Sequence, residues 1–247
     1  MRCAIVMVSY KPDLHWLSYS LRFLRRNFKE LGTPIVVRLE PDCREIVETW
    51  TVPNVQYIYV EPWPDGYQFQ MYQKLIADTH TDAELIILVD SDLMLFRPVF
   101  LDDIVIDGKI PIDYLPWHES PEAERVWRAP TSRLMGLDLG ADLMAGAPFP
   151  FWRETFGKVR THIEITNRMS FGEALYSTTP FTTAGFHSHP FRWSEHEAMN
   201  LYASTFERDR YFLRHRREQP TPWPWRLYWS RGDWSDELQA EFERRLT

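Results

Sequence analysis

The chain has 247 residues, 44% hydrophobic and 26% charged, with a formal net charge of −7. That balance excludes a disordered chain and leaves ample apolar material for a core, either as one large α/β domain or as two small ones. The acid excess argues against a general nucleic-acid coat, whose non-specific affinity comes from Lys and Arg neutralising phosphates, but leaves room for a local basic groove.

The opening stretch MRCAIVMVSY holds one basic residue and a short apolar run that stops at KPD, so residues 4–10 read as a buried strand rather than a signal peptide. Over residues 14–31, Leu14, Leu17, Leu21, Leu24, Phe28 and Leu31 recur at helical spacing, ending at Gly32. Strands follow at 34–40 and 55–61, then a helix over 67–80 and an unbroken apolar strand from Leu85 to Val89. Strands alternating with helices predict a mostly parallel, Rossmann-like sheet. Beyond residue 95 the pattern is irregular. It reads as a loop over 116–133, a helix within 149–167, a loop or edge strand at 181–193, a helix over 193–205, a strand at 210–215 and an amphipathic helix over 235–246.

No repeat or linker interrupts the chain, so a single domain over 1–247 is the simplest organisation. Cys3 and Cys43 are the only cysteines, too few for a disulfide framework, and are expected as buried small residues. No run approaches the roughly 18 apolar residues of a membrane span, so no stable membrane insertion is expected. A cytoplasmic protein, bacterial or phage-encoded within its host, is the resulting expectation. Neither Gly-x-Gly-x-x-Gly after the first strand nor a P-loop is present, which disfavours NAD enzymes and P-loop kinases.

The stretch ELIILVDSDLML sets Asp90 and Asp92 at the mouth of the buried strand, where open α/β sheets place ligands. In extended chain the two carboxylates fall on the same side, and a hard cation such as Mg2+ or Mn2+ shared with a diphosphate relieves their repulsion. A turn cap at Asp90 with a solvated Asp92 is the other reading. On the preceding helix, Gln70 and Lys74 share a face, which makes Lys74 a candidate anion partner. In WSEHEAMNLY, Ser194 and Glu197 form a capping-box pattern. Glu195 stands about 200° from Glu197 on the helix, lacks such a structural role and is a candidate base near a positive helix end.

Three segments together, AIVMVSY, LVDSDLML and EHEAMN, resemble the GT-A glycosyltransferases. The middle one stands where that family has its DxD motif. The last is similar to the D-Q-D-x-L-N of glycogenin-like members, with Glu195, His196, Glu197 and Asn200 at the matching positions. FPFWRETFGKVRTHIE and WSEHEAMNLY also look like segments of bacterial capsule-type and phage glycosyltransferases. The resemblance covers residues 3 to 230. It implies a GT-A fold, with residues 1–95 as the nucleotide-binding half and 96–247 as a smaller, mixed acceptor-side half. It also implies a nucleotide-sugar donor, a UDP-sugar foremost, with its diphosphate bridged by Mn2+ or Mg2+ through Asp92. Asp90 would touch ribose or a metal-bound water, and Ser9 and Tyr10 would lie beside the nucleoside. A third metal ligand in such enzymes comes from the C-terminal half. His215 is the first candidate here, with His187 and His189 as others, although HRREQPTPW only echoes the family's H-F-x-G-x-x-K-P-W.

The implied activity is metal-dependent transfer of a sugar to a hydroxyl. Glu195 is the first choice for base and Glu197 the second, or one carboxylate steadies an oxocarbenium-like state. The acceptor is either a bacterial glycan or a hydroxylated base in phage DNA, and one of Trp193, Trp223, Trp225 and Trp229 is expected to line its cleft. A metal-dependent phosphohydrolase or nucleotidyltransferase, which would need more clustered acids, and a catalytically inactive nucleotide-sugar-binding module are the competing functions.

Overall fold

The computed structural model describes residues 1–30, 33–61, 63, 65–120, 127–144, 148–177, 193–218, 224–228 and 234–246. The chain runs β1 (Cys3–Val8), α1 (Leu14–Asn27), β2 (Ile35–Leu39), α2 (Arg44–Val47), β3 (Val55–Tyr59), α3 (Gly66–Leu75), β4 (Leu85–Asp90) and β5 (Leu93–Leu95). It continues through α4 (Leu101–Ile104), β6 (Ile110–Pro116), α5 (Arg128–Met135), β7 (Ala141–Asp142), β8 (Phe149–Trp152), α6 (Arg153–Asn167) and α7 (Phe171–Ser177). It closes with α8 (Glu195–Phe206), β9 (Tyr211–His215), β10 (Trp225–Leu227) and α9 (Asp236–Leu246).

The main sheet has the order β3-β2-β1-β4-β8. Its first four strands are parallel and β8 runs antiparallel to β4. The protein is therefore α/β, with a mixed, mostly parallel sheet flanked by helices, compatible with a Rossmann-like fold. β1 and β2 are buried along their whole length, and β4 up to Val89, as continuous apolar runs covered on both faces should be. The chain builds outward from β1 to β3, then crosses to β4 on the other side of β1. The strand order thus reverses between β1 and β4, where Val8 pairs with Asp90, and the crevice at their carboxyl ends is the expected ligand site of such a sheet.

A smaller sheet has the order β7-β6-β9, and β5 pairs with β10. β6 and β9 run parallel, with Asp113 opposite Arg214 and Tyr114 opposite His215. Cys3 and Cys43 are buried and free, as expected. Among the described residues, no helix is long and apolar enough to cross a membrane.

Several expected boundaries are corrected. The helix expected over 14–31 stops at Asn27 because the segment after β5 captures its end. Asn27 Nδ2 donates to the Leu95 carbonyl (2.5 Å), its own carbonyl accepts from the Val99 N–H (2.9 Å), and Phe28 turns extended. The helix expected over 67–80 ends at Leu75, and a 3-10 turn covers Ala77–Thr79. The loop expected over 116–133 holds the start of α5, closed by Gly136 at φ 61°. The 149–167 segment is a strand followed by a helix. Residues 181–192, with His187 and His189, lie outside the described residues, as do Trp223 and Trp229.

Candidate functional site

Asp65 caps α3 by accepting from the N–H groups of Tyr67 (2.9 Å) and Gln68 (3.2 Å), fixing the helix over the crevice. From that helix the buried Lys74 side chain reaches the carboxyl end of β4. Its Nζ donates to Asp90 Oδ1 (2.6 Å) and Glu195 Oε1 (2.7 Å), and lies 3.3 Å from His196 Nε2. Gln70, one turn earlier, directs its amide at the same Asp90 oxygen (3.4 Å). His196 Nε2 is 3.0 Å from Glu195 Oε1 and 3.9 Å from Asp90 Oδ2. Its ring stacks on Phe149 of β8, with centroids 3.6 Å apart and planes 15° apart.

Three elements distant in sequence thus meet at one ammonium. Lys74 and Glu195 side chains are each 2% exposed, whereas Asp90 keeps 23% of its side chain open. Burial alone disfavours the charged form of all three, yet each stays ionised because its neighbours carry opposite charge. Burial would lower the Lys74 pKa, but Asp90 and then Glu195 hold it above its ordinary value. Burial would raise Asp90, but Lys74 and then His196 hold its carboxyl below the usual range. Glu195, likewise opposed by burial, is held at about 2 by His196 and Lys74.

Glu197 projects elsewhere. Ser194 Oγ accepts from the Glu197 N–H (3.3 Å), so half of the capping box forms. The other half does not, because the Ser194 N–H donates to Thr131 Oγ1 on α5 (2.9 Å). The Glu197 carboxyl is buried, with Oε2 unpaired among the described residues. Burial, then the charge of Asp142, push its pKa up to about 8. Asp142 is itself held by Ser120 Oγ (2.6 Å) and the Met144 N–H (2.8 Å). The two glutamates therefore face different neighbours, as their angular separation on the helix requires, and one is ionised where the other is protonated at neutrality.

The remaining expected residues divide. Ser9 follows β1 at the crevice, buried, with its hydroxyl unpaired among the described residues, while Tyr10 beside it is 39% exposed. Asp92 is partly exposed after the β4 turn, and its carbonyl accepts from the Tyr228 N–H (2.9 Å). His215 sits in the smaller sheet, 3.7 Å from Glu119, edge-on to Tyr114, and accepts from the Arg217 N–H (3.2 Å). Asp90, Asp92 and His215 do not gather their ligand atoms within 4.8 Å of one another. Among the described residues only Glu40, Asp42 and Cys43 do so, at the carboxyl end of β2. Burial, then Asp42 and Glu40, push the Cys43 thiol up to about 11, the reverse of what a thiolate ligand needs. The two aspartates supply hard oxygen donors, and a Mg2+ or Mn2+ there would draw its other ligands from a diphosphate and water.

Sequence reasoning left three participants without a role: His196, Phe149 and Asp142. His196 was visible beside Glu195, but only the antiparallel addition of β8 puts an aromatic face against it. No family model and no curated protein matches the chain.

Proposed function

We propose that the protein is a metal-dependent GT-A-type glycosyltransferase that moves a sugar from a nucleotide-diphosphate donor to a hydroxyl of a glycan. The observation that carries this reading is the position of Asp90: at the switch point of the sheet, paired in register with the end of β1, and tied through Lys74 to Glu195 of α8. One ammonium thereby couples the edge expected to hold the donor to the helix expected to face the acceptor.

Asp90 and Asp92 would hold the cation, which supplies Lewis-acid neutralisation of the departing diphosphate. Lys74 and Gln70 fix the Asp90 carboxylate through one oxygen, and the other lies 3.9 Å from His196 Nε2 on the side that would meet the ligand. Ser9 offers an unpaired hydroxyl, and Tyr10 an exposed ring, beside the nucleoside. The acid–base roles reverse relative to expectation. Glu195, held at about 2, is a poor proton acceptor and suits a fixed negative charge facing an oxocarbenium-like sugar. Glu197, at about 8, exchanges a proton near neutrality but faces Asp142 and Thr131 rather than the Lys74 cluster, so the base role expected of it would need the acceptor to enter from that side.

A glycan acceptor is favoured over a DNA base because four of the six arginines in the basic stretches LRFLRR and RHRR are engaged. Arg22 pairs with Glu243, Arg214 with Asp113 and Arg217 with Glu119, while Arg25 donates to the carbonyls of Thr33 and Asn54.

The test is thermal stability against UDP, GDP, CDP, TDP and ADP sugars, with and without Mn2+, on wild type and Asp92→Ala. A donor at a hundred times its dissociation constant adds about 2.7 kcal/mol, roughly 5–10 °C for a chain this long. The expected result is a Mn2+-dependent shift with one donor, lost in the variant. No shift with any donor on folded protein would overturn this reading, along with the nucleotide-sugar-binding module, and favour the phosphohydrolase.

A further inference from the structure

Away from the charged cluster, α6 and α8 pack side by side and leave a groove of about 520 Å³ between them, lined by Gly157, Lys158, Thr161, His162, Tyr202 and Phe206 among others. The helices run antiparallel, since Lys158 pairs with Glu207 and, one turn further along α6, His162 meets Tyr202 edge-on with ring centroids 5.4 Å apart. Two large apolar side chains stand out of this face: Ile165 is 72% exposed on α6, and Phe206 is 54% exposed on α8. A groove and an apolar knob on one surface mark a contact site.

The exposed stripe of α6 tells what covers it. Glu154, Gly157, Lys158, Thr161, Glu164, Ile165 and Arg168 fall within about 60° of one direction on the helix, and they are placed symmetrically about Thr161. Glu154 and Arg168 stand seven residues to either side, Gly157 and Ile165 four, and Lys158 and Glu164 three. A second copy of α6 laid antiparallel about a two-fold axis at Thr161 therefore sets Glu154 level with the copy's Arg168, and Ile165 level with the copy's Gly157. At Gly157 an added Cβ would touch only the end of the Arg160 side chain (3.8 Å), so there is room for the incoming knob. Arg168 is exposed and has no ion pair among the described residues, while Glu154 is 71% exposed and gives only Oε2 to Arg210. Lys158 and Glu164 are partly committed, to Glu207 and the Phe171 N–H, so the pair of Glu154 with Arg168 carries the selection. With two charges of each sign, the stripe has no excess that would draw a nucleic acid or an anionic membrane. A copy laid parallel would set like charges level with each other.

We propose that the protein forms a two-fold homodimer through this face, with α6 of each copy crossing its counterpart at Thr161 and Ile165 of each seated in the other's groove beside Phe206. Phe206 ends α8, roughly 16 Å along the helix from Glu195 at its start, so the dimer does not rest on the transferase reading and its test is independent of donor binding.

The experiment is sedimentation velocity from about 1 to 100 μM on wild type, Ile165→Lys, Glu154→Arg, Arg168→Glu and the double reversal of Glu154 and Arg168. All three positions are exposed, and circular dichroism checks that each variant folds. The expected result is a wild type with the mass of two chains at the upper end of the range and a monomeric Ile165→Lys. Each single reversal should weaken association roughly tenfold or more, and the double reversal should return to within about threefold of wild type. A wild type that stays monomeric, a dimer indifferent to Ile165→Lys, or a double reversal as weak as the single ones would overturn the proposal. The register has its own readout. Mild oxidation should link two copies of Thr161→Cys by a disulfide across the axis but leave Glu45→Cys, exposed on α2, unlinked. Equal linkage of the two variants would place the contact elsewhere and overturn the proposal.

Discussion

Lys74 is the residue on which the centre turns, because two buried carboxylates share it. Lys74→Met would leave Asp90 and Glu195 with only His196 beside them, and breaking a buried ion pair this way costs about 3–5 kcal/mol. Adding Glu195→Gln to that variant should recover more than about 1 kcal/mol, since it removes the stranded charge. Chemical denaturation of the two single variants and the double gives the coupling directly, and strict additivity would mean that the three groups are not one network. Glu197 makes an opposite prediction. Its folded pKa of about 8 lies above the ordinary carboxylate value, so the stability it contributes is complete at low pH and is lost as pH rises from about 4.5 through 8. Glu197→Gln removes that loss. Its melting temperature relative to wild type should climb across this window by about 4–8 °C, on the order of 2 kcal/mol. A difference flat in pH would mean that Glu197 is ionised in the folded protein. Part of this was readable beforehand. Spacing put Gln70 and Lys74 on one face, and angular separation kept Glu195 and Glu197 apart. The ion pairs were not readable, because Lys74 and Glu195 meet only through the tertiary fold, and no local pattern encodes that contact.

Elements with a continuous apolar run or a clear stripe, such as β1, β4 and α1, were legible in the sequence to within a few residues at their ends. β8 was not: four residues, FPFW, with Pro150 inside them look like a loop. Proline is tolerated because β8 lies at the sheet edge, where only one side of the strand must supply ladder hydrogen bonds. That hidden strand carries Phe149, so the packing of His196 was hidden with it. α8, in contrast, announced its start at Ser194, yet its cap is shared differently from the expected box. Ser194→Ala should lower stability by about 1 kcal/mol, or about 2–4 °C, if the hydroxyl is the main cap. A loss below about 0.5 kcal/mol would show that the bond from the Ser194 N–H to Thr131 holds the helix start, making α5 the element that sets the position of Glu195.

At the scale of the molecule, the question is whether the C-terminal helix belongs to the same cooperative unit as the sheet that carries Asp90. The amphipathic pattern of α9 was plain in the sequence, but not where its apolar face would dock. It docks on α1, where Phe242, fully buried, lies among Trp16, Tyr19, Phe23, Phe96, Tyr228 and Trp234, with ring centroids 5.3–6.4 Å away. At the edge of this cluster Glu243 accepts from Tyr19 Oη (2.6 Å) and from both terminal nitrogens of Arg22 (2.8 and 2.9 Å). Because α1 packs on both α9 and β5, directly after the β4 turn, the aromatic cluster is joined to the strand pair that follows Asp90. Phe242→Ala should then cost about 3–5 kcal/mol and lower the temperature of a single calorimetric transition by roughly 10 °C or more. If α9 were instead an appendage, the variant would show an early transition of small enthalpy, with the main one unmoved. That outcome would separate the stability of the carboxyl end from that of the crevice holding Asp90, and α9 would be dispensable to donor binding.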